Sequence, residues 1–549
     1  MTQRKNILFI MCDQLRFDYL SCYGHPHLAT PNVDSLAANG VRFTNAYCQS
    51  PVCGSSRMSF YTGRYVDSHG VSYNGFPLRV GERTMGDYLR DLGVQTALVG
   101  KTHMKADEEG MARLGIEADS IIGTRVAECG FDPFERDDGL YGVGPAGAYD
   151  PNEPRYNDYL RDQGFAGKNP WSEWANAAED ENGEILSGWF MRHAVRPARV
   201  DESHSETPYM TRRAMAFIDH AGDTPWCLHL SYIKPHWPYI VPAPYHDMFS
   251  KADVLPPLRT EAERATTHPV YAAYMEHRVS KVFSRPQVRD AVIPAYMGLV
   301  KQIDDQLGVL FEHLRDNGLW ENTMVVFSSD HGDYLGDHWL GEKDHFHDVS
   351  VKIPMLVYDP SAEADVSRGT VCDALVESID LLPTFIDWHG GEAQPHRLEG
   401  RSLLPWLHTP PRAYEDIDWR EVAISEYDYS MMNASSALDV LPSDARMVMA
   451  VDLRWKYIEI LGFRPMLFDR DNDPGELEDL GDDPAYADIR AAFAEKIARW
   501  ARRLSQRTTI SDDQILARRG RSAQRGIFIG YWDEAELPDD VAQFLAREP

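Results

Sequence analysis

The chain has 549 residues, 43% of them hydrophobic and 26% charged, an ordinary composition for a soluble globular protein with room for one very large domain or a large and a small one. Its formal net charge of −30 argues against nucleic acid and anionic membranes as partners. The same charge obliges any anionic substrate to find a local cluster of Lys, Arg, His and metal.

The N-terminus has two basic residues but only a six-residue apolar run, Ile7 to Cys12, too short for a secretory signal. No stretch is long enough to span a bilayer. Seven cysteines, at 12, 22, 48, 53, 129, 227 and 372, show no paired spacing, which reads as reduced and cytoplasmic.

In chain order, "NILFIMCDQ" is a buried parallel strand ending in polar residues. "TPNVDSLAANGVRFTNAY" predicts a Pro-opened helix closed at Asn39-Gly40 and a strand from Val41 to Ala46. In "SPVCGSSRMSFYTGRY", Gly54, Ser55 and Ser56 are read as releasing a helix whose first turns run from Arg57 to Tyr61. "TMGDYLRDLGVQTALVGK" repeats helix, glycine and strand, ending at Lys101, and "PWCLHLSYIKPHWPY" is a strand entering a Pro-rich loop. Residues 102–210, rich in Gly, Asp, Glu, Pro and Trp, read as an insertion shaping a substrate pocket or a subunit contact. A long amphipathic helix then leads to a strand over Thr323 to Ser328, followed by a strand in "IPMLVYDP" and a helix in "VESIDLLPTFIDWHG". This alternation predicts an α/β fold over 1–411, a large, mostly parallel, doubly wound sheet. Short antiparallel strands and a helix from about Pro484 to Gln506 predict a small α+β C-terminal subdomain over 412–506. Residues 507–549 form an arm whose apolar island, Ile527, Phe528, Ile529, Tyr531 and Trp532, is expected to pack on a second copy of the chain in a homodimer or homotetramer.

In such sheets ligands bind beyond the carboxyl ends of the strands. Asp13-Gln14, Lys101 with His103, Lys234 with His236, and Asp330-His331 all fall at that edge. Asp13, Asp330 and His331 are either two capping aspartates and a solvated histidine or donors that converge on one divalent ion: carboxylate and amide oxygens suit Ca²⁺, Mg²⁺ or Mn²⁺, and the imidazole shifts the choice toward Mn²⁺. His345 and His347 in "EKDHFHD" have metal-like spacing without a partner and are read as loop surface. Cys53, with Arg57 one turn on, is either an inert buried filler or a thiol in an electropositive, anion-attracting site.

The stretch from "CDQLRFDYLSCYGH" to "SPVCGSSRMSFYTGRY", with "GKTHM", "KPHWPY", "SDHGDYLGDH", Lys343 and "FDRDNDPGELEDL", resembles in order and spacing the type I sulfatases. That branch of the alkaline phosphatase superfamily also contains phosphonate monoester hydrolases, and the resemblance covers nearly the whole chain. It implies an alkaline phosphatase-like fold and a hydrolase that cleaves the S–O bond of sulfate monoesters through a sulfoenzyme intermediate. It also implies activity toward phosphonate esters, with a phosphonate monoester hydrolase or phosphodiesterase as the alternative. A protein of a different class, which holds an oxyanion without turnover on an unmodified Cys53, is a third reading.

By the same resemblance, Cys53 is the residue that a formylglycine-generating enzyme oxidises to formylglycine, and Arg57 holds that group. Asp13, Asp330 and His331 are implied as ligands of one divalent ion (Ca²⁺ or Mn²⁺), with Gln14 where a second aspartate often stands. Lys101 and His103 match the Lys-x-His of sulfatases, and Lys343 and His236 match residues that contact the transferred group and the leaving oxygen. Asn74 matches a pocket-lining asparagine of the phosphonate hydrolase branch. Ser55 departs from the family stretch, which has proline or alanine two residues after the cysteine.

Overall fold

A computed structural model describes residues 5–139, 149–150, 152–505, 509–519, 521, 532, 534–537 and 539. Eight strands make the central sheet: β1 (Asn6–Asp13), β2 (Val41–Tyr47), β3 (Gln95–Gly100), β4 (Asp132–Arg136), β5 (Trp226–Pro235), β6 (Thr323–Ser329), β7 (Met355–Tyr358) and β8 (Thr370–Glu377). Their order is β8-β2-β7-β6-β1-β5-β3-β4. Every pairing is parallel except the two made by β7. Central strands of such a sheet are covered on both faces, which is why β1, β5 and β6 read as continuous apolar runs. Along β1, Ile7, Phe9 and Met11 enter one core while Leu8, Ile10 and Cys12 enter the other. This alternation is the doubly wound arrangement expected from the sequence.

Among the helices are, in chain order, α1 (Pro31–Asn39), α2 (Cys53–Thr62), α3 (Met85–Asp91), α4 (Glu206–His220), α5 (Pro269–Met275), α6 (Arg278–Phe283), α7 (Pro286–Asp316) and α8 (Leu381–Trp388). Beyond them, β9 (Ala423–Asp428), α9 (Asn433–Ala437), β10 (Arg446–Val451), β11 (Trp455–Ile460), β12 (Met466–Asp469) and α10 (Ala487–Ala501) build the C-terminal unit, a four-stranded antiparallel sheet in sequential order with a helix on it. Phe493 and Ile497 of α10 pack on Ile424, Ala450 and Leu467. The opposite face, through Tyr427, Met447 and Ile458, joins the same core as the central sheet. Lys456 of β11, fully buried, pairs with Asp348 (2.6 Å) and Glu476 (2.5 Å), and Asp348 also takes Arg470 (3.1 Å). These pairs tie the small sheet to the loop that carries Lys343.

Several expectations are corrected. Helix α2 begins at Cys53 itself rather than after Ser56. The stretch 102–210 is not only an insertion, because it supplies β4, an edge strand of the central sheet. The helix expected from about Pro484 to Gln506 runs from Ala487 and stops at Ala501. In the arm, Ile527, Phe528, Ile529 and Tyr531 lie outside the described residues, and Trp532 is exposed. No helix among the described residues is long and apolar enough to cross a membrane.

Candidate active site

The register of the two central strands builds the site. Cys12 of β1 lies opposite Ser329 of β6, so the next residues, Asp13 and Asp330, leave the sheet side by side. Asp330 is held from three directions: its Oδ1 accepts the backbone N–H of Gln14 (3.0 Å) and of His331 (3.0 Å), and its Oδ2 accepts Arg57 Nε (2.8 Å). Gln14 takes a left-handed backbone (φ 65°) to make that turn. At the end of β3, Gly100 has φ 107°, and a Cβ there would sit 2.0 Å from the Ser231 carbonyl oxygen. Only glycine lets β3 close on β5 and deliver Lys101 to the same edge.

Helix α2 enters from below. Val52 offers no side-chain cap, and Asn74 substitutes for one by accepting the Gly54 N–H at 2.8 Å. Cys53 therefore sits in the first turn with its Sγ 3.0 Å from His331 Nε2, 3.0 Å from Lys343 Nζ and 3.8 Å from Asp13 Oδ1. Arg57 points beneath the thiol. It donates to Asp330, to Asp13 Oδ2 (3.2 Å), to the Lys101 carbonyl (2.8 Å) and to Ser231 Oγ (2.8 Å), and it is fully buried. Lys101 Nζ lies 2.5 Å from Asp13 Oδ2 and is fully buried too. Burial alone would raise the pKa of Asp13. Lys101, Arg57 and Lys343 outweigh it and hold the carboxyl well below its usual range.

Lys343 donates to Gln14 Oε1 (3.1 Å) as well as to the thiol. Burial opposes its charge, but Cys53, Asp13 and Glu342 raise its pKa above the ordinary lysine value. Three cations, Arg57, Lys101 and Lys343, thus face two carboxylates, Asp13 and Asp330. These three cations are gathered at one place in a strongly acidic chain, as an anionic ligand requires.

Both histidines are held neutral. His331 donates Nδ1–H to the Gly332 carbonyl (2.9 Å), and His236 donates Nδ1–H to the Trp237 carbonyl (2.7 Å). Each therefore keeps an Nε2 lone pair. Burial pulls both pKa values down, that of His236 well below 6.5. His103 is half-buried beside Asp138, which accepts its backbone N–H (3.3 Å); its Nδ1 is buried with no partner among the described residues.

Donor atoms of Asp13, Cys53, Asp330 and His331 all lie within 4.8 Å of one another. Two carboxylates and an imidazole lone pair whose tautomer is fixed by a backbone carbonyl fit a divalent cation. Gln14 is oriented toward the same space, because its amide nitrogen is pinned to Asp333 Oδ2 at 2.5 Å and its oxygen is left to Lys343. Asp333, itself held by Tyr239 (2.7 Å), belongs to this support. It went unassigned in the sequence although it stands three residues past Asp330 in "SDHGD". Ser231 had no such signal.

Two expected groups go elsewhere. Lys234 turns away to Asn176 (3.0 Å) and Glu206 (3.5 Å). His345 and His347 are buried, not loop surface: His345 packs among Tyr271, Tyr274 and Tyr427, and His347 stacks on His338 at 3.7 Å. Cofacial rings this close cannot both aim a lone pair at one ion, so the group Glu263, His338 and His347 is a packing cluster.

Ser55 Oγ is buried with no hydrogen-bond partner among the described residues. An unsatisfied buried hydroxyl costs about 1–3 kcal/mol. Ser55→Ala should therefore raise the urea midpoint by about 1 kcal/mol of stability, and an unchanged or lower midpoint would show that the hydroxyl is satisfied.

The profile of the sulfatase family matches residues 5–391, and that of the N-sulphoglucosamine sulphohydrolase C-terminal region matches 336–503. The chain is 30% identical to the multifunctional alkaline phosphatase superfamily protein PehA of Trinickia caryophylli, covering 92% of this chain and 96% of that protein. It is 26% identical to an arylsulfatase of Clostridium perfringens, over 78% of this chain and 82% of that one. The phosphonate monoester hydrolase of Silicibacter pomeroyi superposes with a TM-score of 0.78 at 26% identity, covering 90% of this chain and 95% of that structure. The strand order, the cluster at its carboxyl edge and these matches together make the chain a member of the sulfatase family of the alkaline phosphatase superfamily.

Proposed function

We propose that the protein hydrolyses sulfate monoesters, aryl esters in particular, and accepts phosphonate monoesters in the same pocket. The observation that carries this reading is the position of Cys53 Sγ, 3.0 Å from both His331 Nε2 and Lys343 Nζ, at the rim of a carboxylate pair. Oxidised to formylglycine by a formylglycine-generating enzyme, residue 53 supplies a hydrated aldehyde as nucleophile. Asp13, Asp330 and His331, with Gln14 as fourth ligand, would hold a divalent ion, Ca²⁺ or Mn²⁺, whose chemistry there would be Lewis-acid polarisation of the ester oxygens.

The chain's own groups do the rest. Lys343 places a cation against residue 53 and stabilises the charge that spreads over the transferred group. Arg57 and Lys101, buried on the two carboxylates, are positioning residues that keep Asp13 ionised and both carboxylates aligned. His236 presents a neutral Nε2 that takes a proton from the attacking hydroxyl side and returns it to the leaving oxygen. Asn74 fixes the start of α2 and hence the height of residue 53 in the pocket. The seven free cysteines support a reducing, cytoplasmic setting. The arm 507–549 is proposed as the contact in a homodimer or homotetramer.

A second reading, a phosphonate monoester hydrolase, is favoured by the similarity to the Silicibacter pomeroyi enzyme over nearly the whole chain. Side-by-side kinetics on an aryl sulfate and the matching aryl phosphonate separate the two. We expect higher kcat/KM on the sulfate. His103, whose Nδ1 has no partner among the described residues, should add a polar contact to the sulfate reaction, so His103→Ala should cost that reaction on the order of 10²-fold and the phosphonate reaction less. Lys101→Ala, which frees the Asp13 charge, should harm both. A preference for the phosphonate that survives in His103→Ala would establish the second reading.

A further inference from the structure

A groove of about 1040 Å³ is walled by Trp189, Phe190, Val282, Val288, Met431 and Met432. It is the size of a small-molecule site, and two of its lining residues are linked to the catalytic rim through one intervening side chain each. On one side Trp189 packs on Trp237 (ring centroids 5.2 Å), which packs on His236 (4.0 Å). On the other, Tyr73, whose hydroxyl meets Met432 Sδ at 3.0 Å, precedes Asn74, the residue that holds the start of α2 beneath Cys53. The large apolar residues are not packed away: Trp189 is 47% exposed, Phe190 61% and Met431 60%. An apolar surface of this extent, joined to a catalytic rim, marks a binding face.

Its charge is the second observation. Arg192, Arg278 and Arg285 line the groove, and none makes an ion pair with a carboxylate among the described residues. The carboxylate that lines it, Glu276, is committed to Lys281 at 2.6 Å. In a chain of net charge −30, three uncompensated guanidiniums around an aromatic and methionine wall are complementary to an apolar body with an anionic end. At the junction with the site, the Trp237 indole N–H is buried without a partner among the described residues, a donor left for a polar atom of the ligand.

We propose that this groove receives the alcohol half of the ester, and that the preferred substrates are esters of extended aryl alcohols carrying a carboxylate at the end remote from the scissile bond. The proposal rests on the ester hydrolase reading above, and its test separates the two. The probe for binding is the free alcohol 4'-hydroxybiphenyl-4-carboxylate, titrated into the full-length protein by calorimetry. The kinetic pair is its sulfate ester against phenyl sulfate.

The probe should bind, and Trp189→Ala and the double variant Arg278→Gln/Arg285→Gln should each weaken it about tenfold or more. The ratio of kcat/KM for the biphenyl carboxylate ester over phenyl sulfate should exceed 10 and fall toward 1 in the double variant. Binding that responds to these variants in a protein that hydrolyses neither ester sustains the groove and sinks the hydrolase reading. Turnover of both esters with a ratio near 1, or with binding indifferent to the variants, sinks the groove and leaves the hydrolase reading standing. Probe binding that shifts sedimentation to a smaller species would assign the groove to a second copy of the chain and overturn the proposal.

Discussion

Asp330→Ala should lose the divalent ion, lose turnover by on the order of 10³-fold or more, and lose stability by about 3–5 kcal/mol. The three losses share one cause. Asp330 Oδ1 takes two backbone N–H groups, and its Oδ2 takes Arg57 Nε. Removing the carboxylate deprives the ion of a ligand and leaves the fully buried Arg57 with Asp13 as its remaining carboxylate partner. Because this variant risks not folding, Asp330→Asn is the companion. An amide keeps the shape but must turn its NH₂ either toward Arg57 Nε or toward the two backbone donors, so one face is repelled whichever way it lies. Its stability loss should be smaller, about 1–3 kcal/mol, while ion and turnover are still lost. Metal analysis after dialysis, urea midpoints and kcat read the three effects separately. Full metal occupancy in the folded Asn variant would mean that the ion, if any, is held by another cluster.

Asp330 also shows what was legible in the sequence. Two strands that end in aspartate are visible as apolar runs with a polar stop, and parallel pairing of neighbouring central strands makes those stops adjacent. The site's position at the carboxyl edge followed from that alone. Arg57 shows what was not. Four residues after Cys53 on a helix, it was expected beside the thiol, yet Asp13, Asp330, the Lys101 carbonyl and Ser231 draw its guanidinium beneath the site. Those partners come from four segments, and helical spacing carries no information about them.

The start of α2 was misplaced for a related reason. Its cap is Asn74, 21 residues after Cys53, not a neighbour in the chain. Strand β4 was overlooked because "DPFER" has neither alternation nor an apolar run, and pairing with β3 alone makes it a strand. His345 and His347 looked exposed because "EKDHFHD" is locally polar. The tyrosines of α5 and β9 that bury His345 belong to distant parts of the chain.

Cys53→Ala should abolish ester hydrolysis, by on the order of 10⁴-fold or more, while the ion still binds through Asp13, Asp330 and His331. The thiol is 1% exposed and accepts from Lys343, so its loss removes one contact of that lysine and leaves the carboxylate cluster intact. Cys53→Ser is the more informative variant. The introduced hydroxyl can attack the ester and expel the phenol, forming one S–O bond as another breaks, but its carbon bears no second hydroxyl. A hydrated aldehyde can lose its proton from that second hydroxyl, reform the C=O bond and release sulfate with the electron pair of the C–O bond. The serine variant has no such exit. It should therefore give a burst of phenol equal to the enzyme present and then stall, with the added sulfate found on the peptide spanning residue 53. Mass analysis of the same peptide from the unsubstituted protein, made alongside the oxidising enzyme, should show the thiol replaced by an aldehyde in the fraction that turns over. Sustained turnover in Cys53→Ser at the parent rate, or full activity in protein that carries only free thiol, would remove formylglycine from the mechanism. Sulfate binding with no turnover in any preparation would leave the oxyanion-holding protein as the surviving reading.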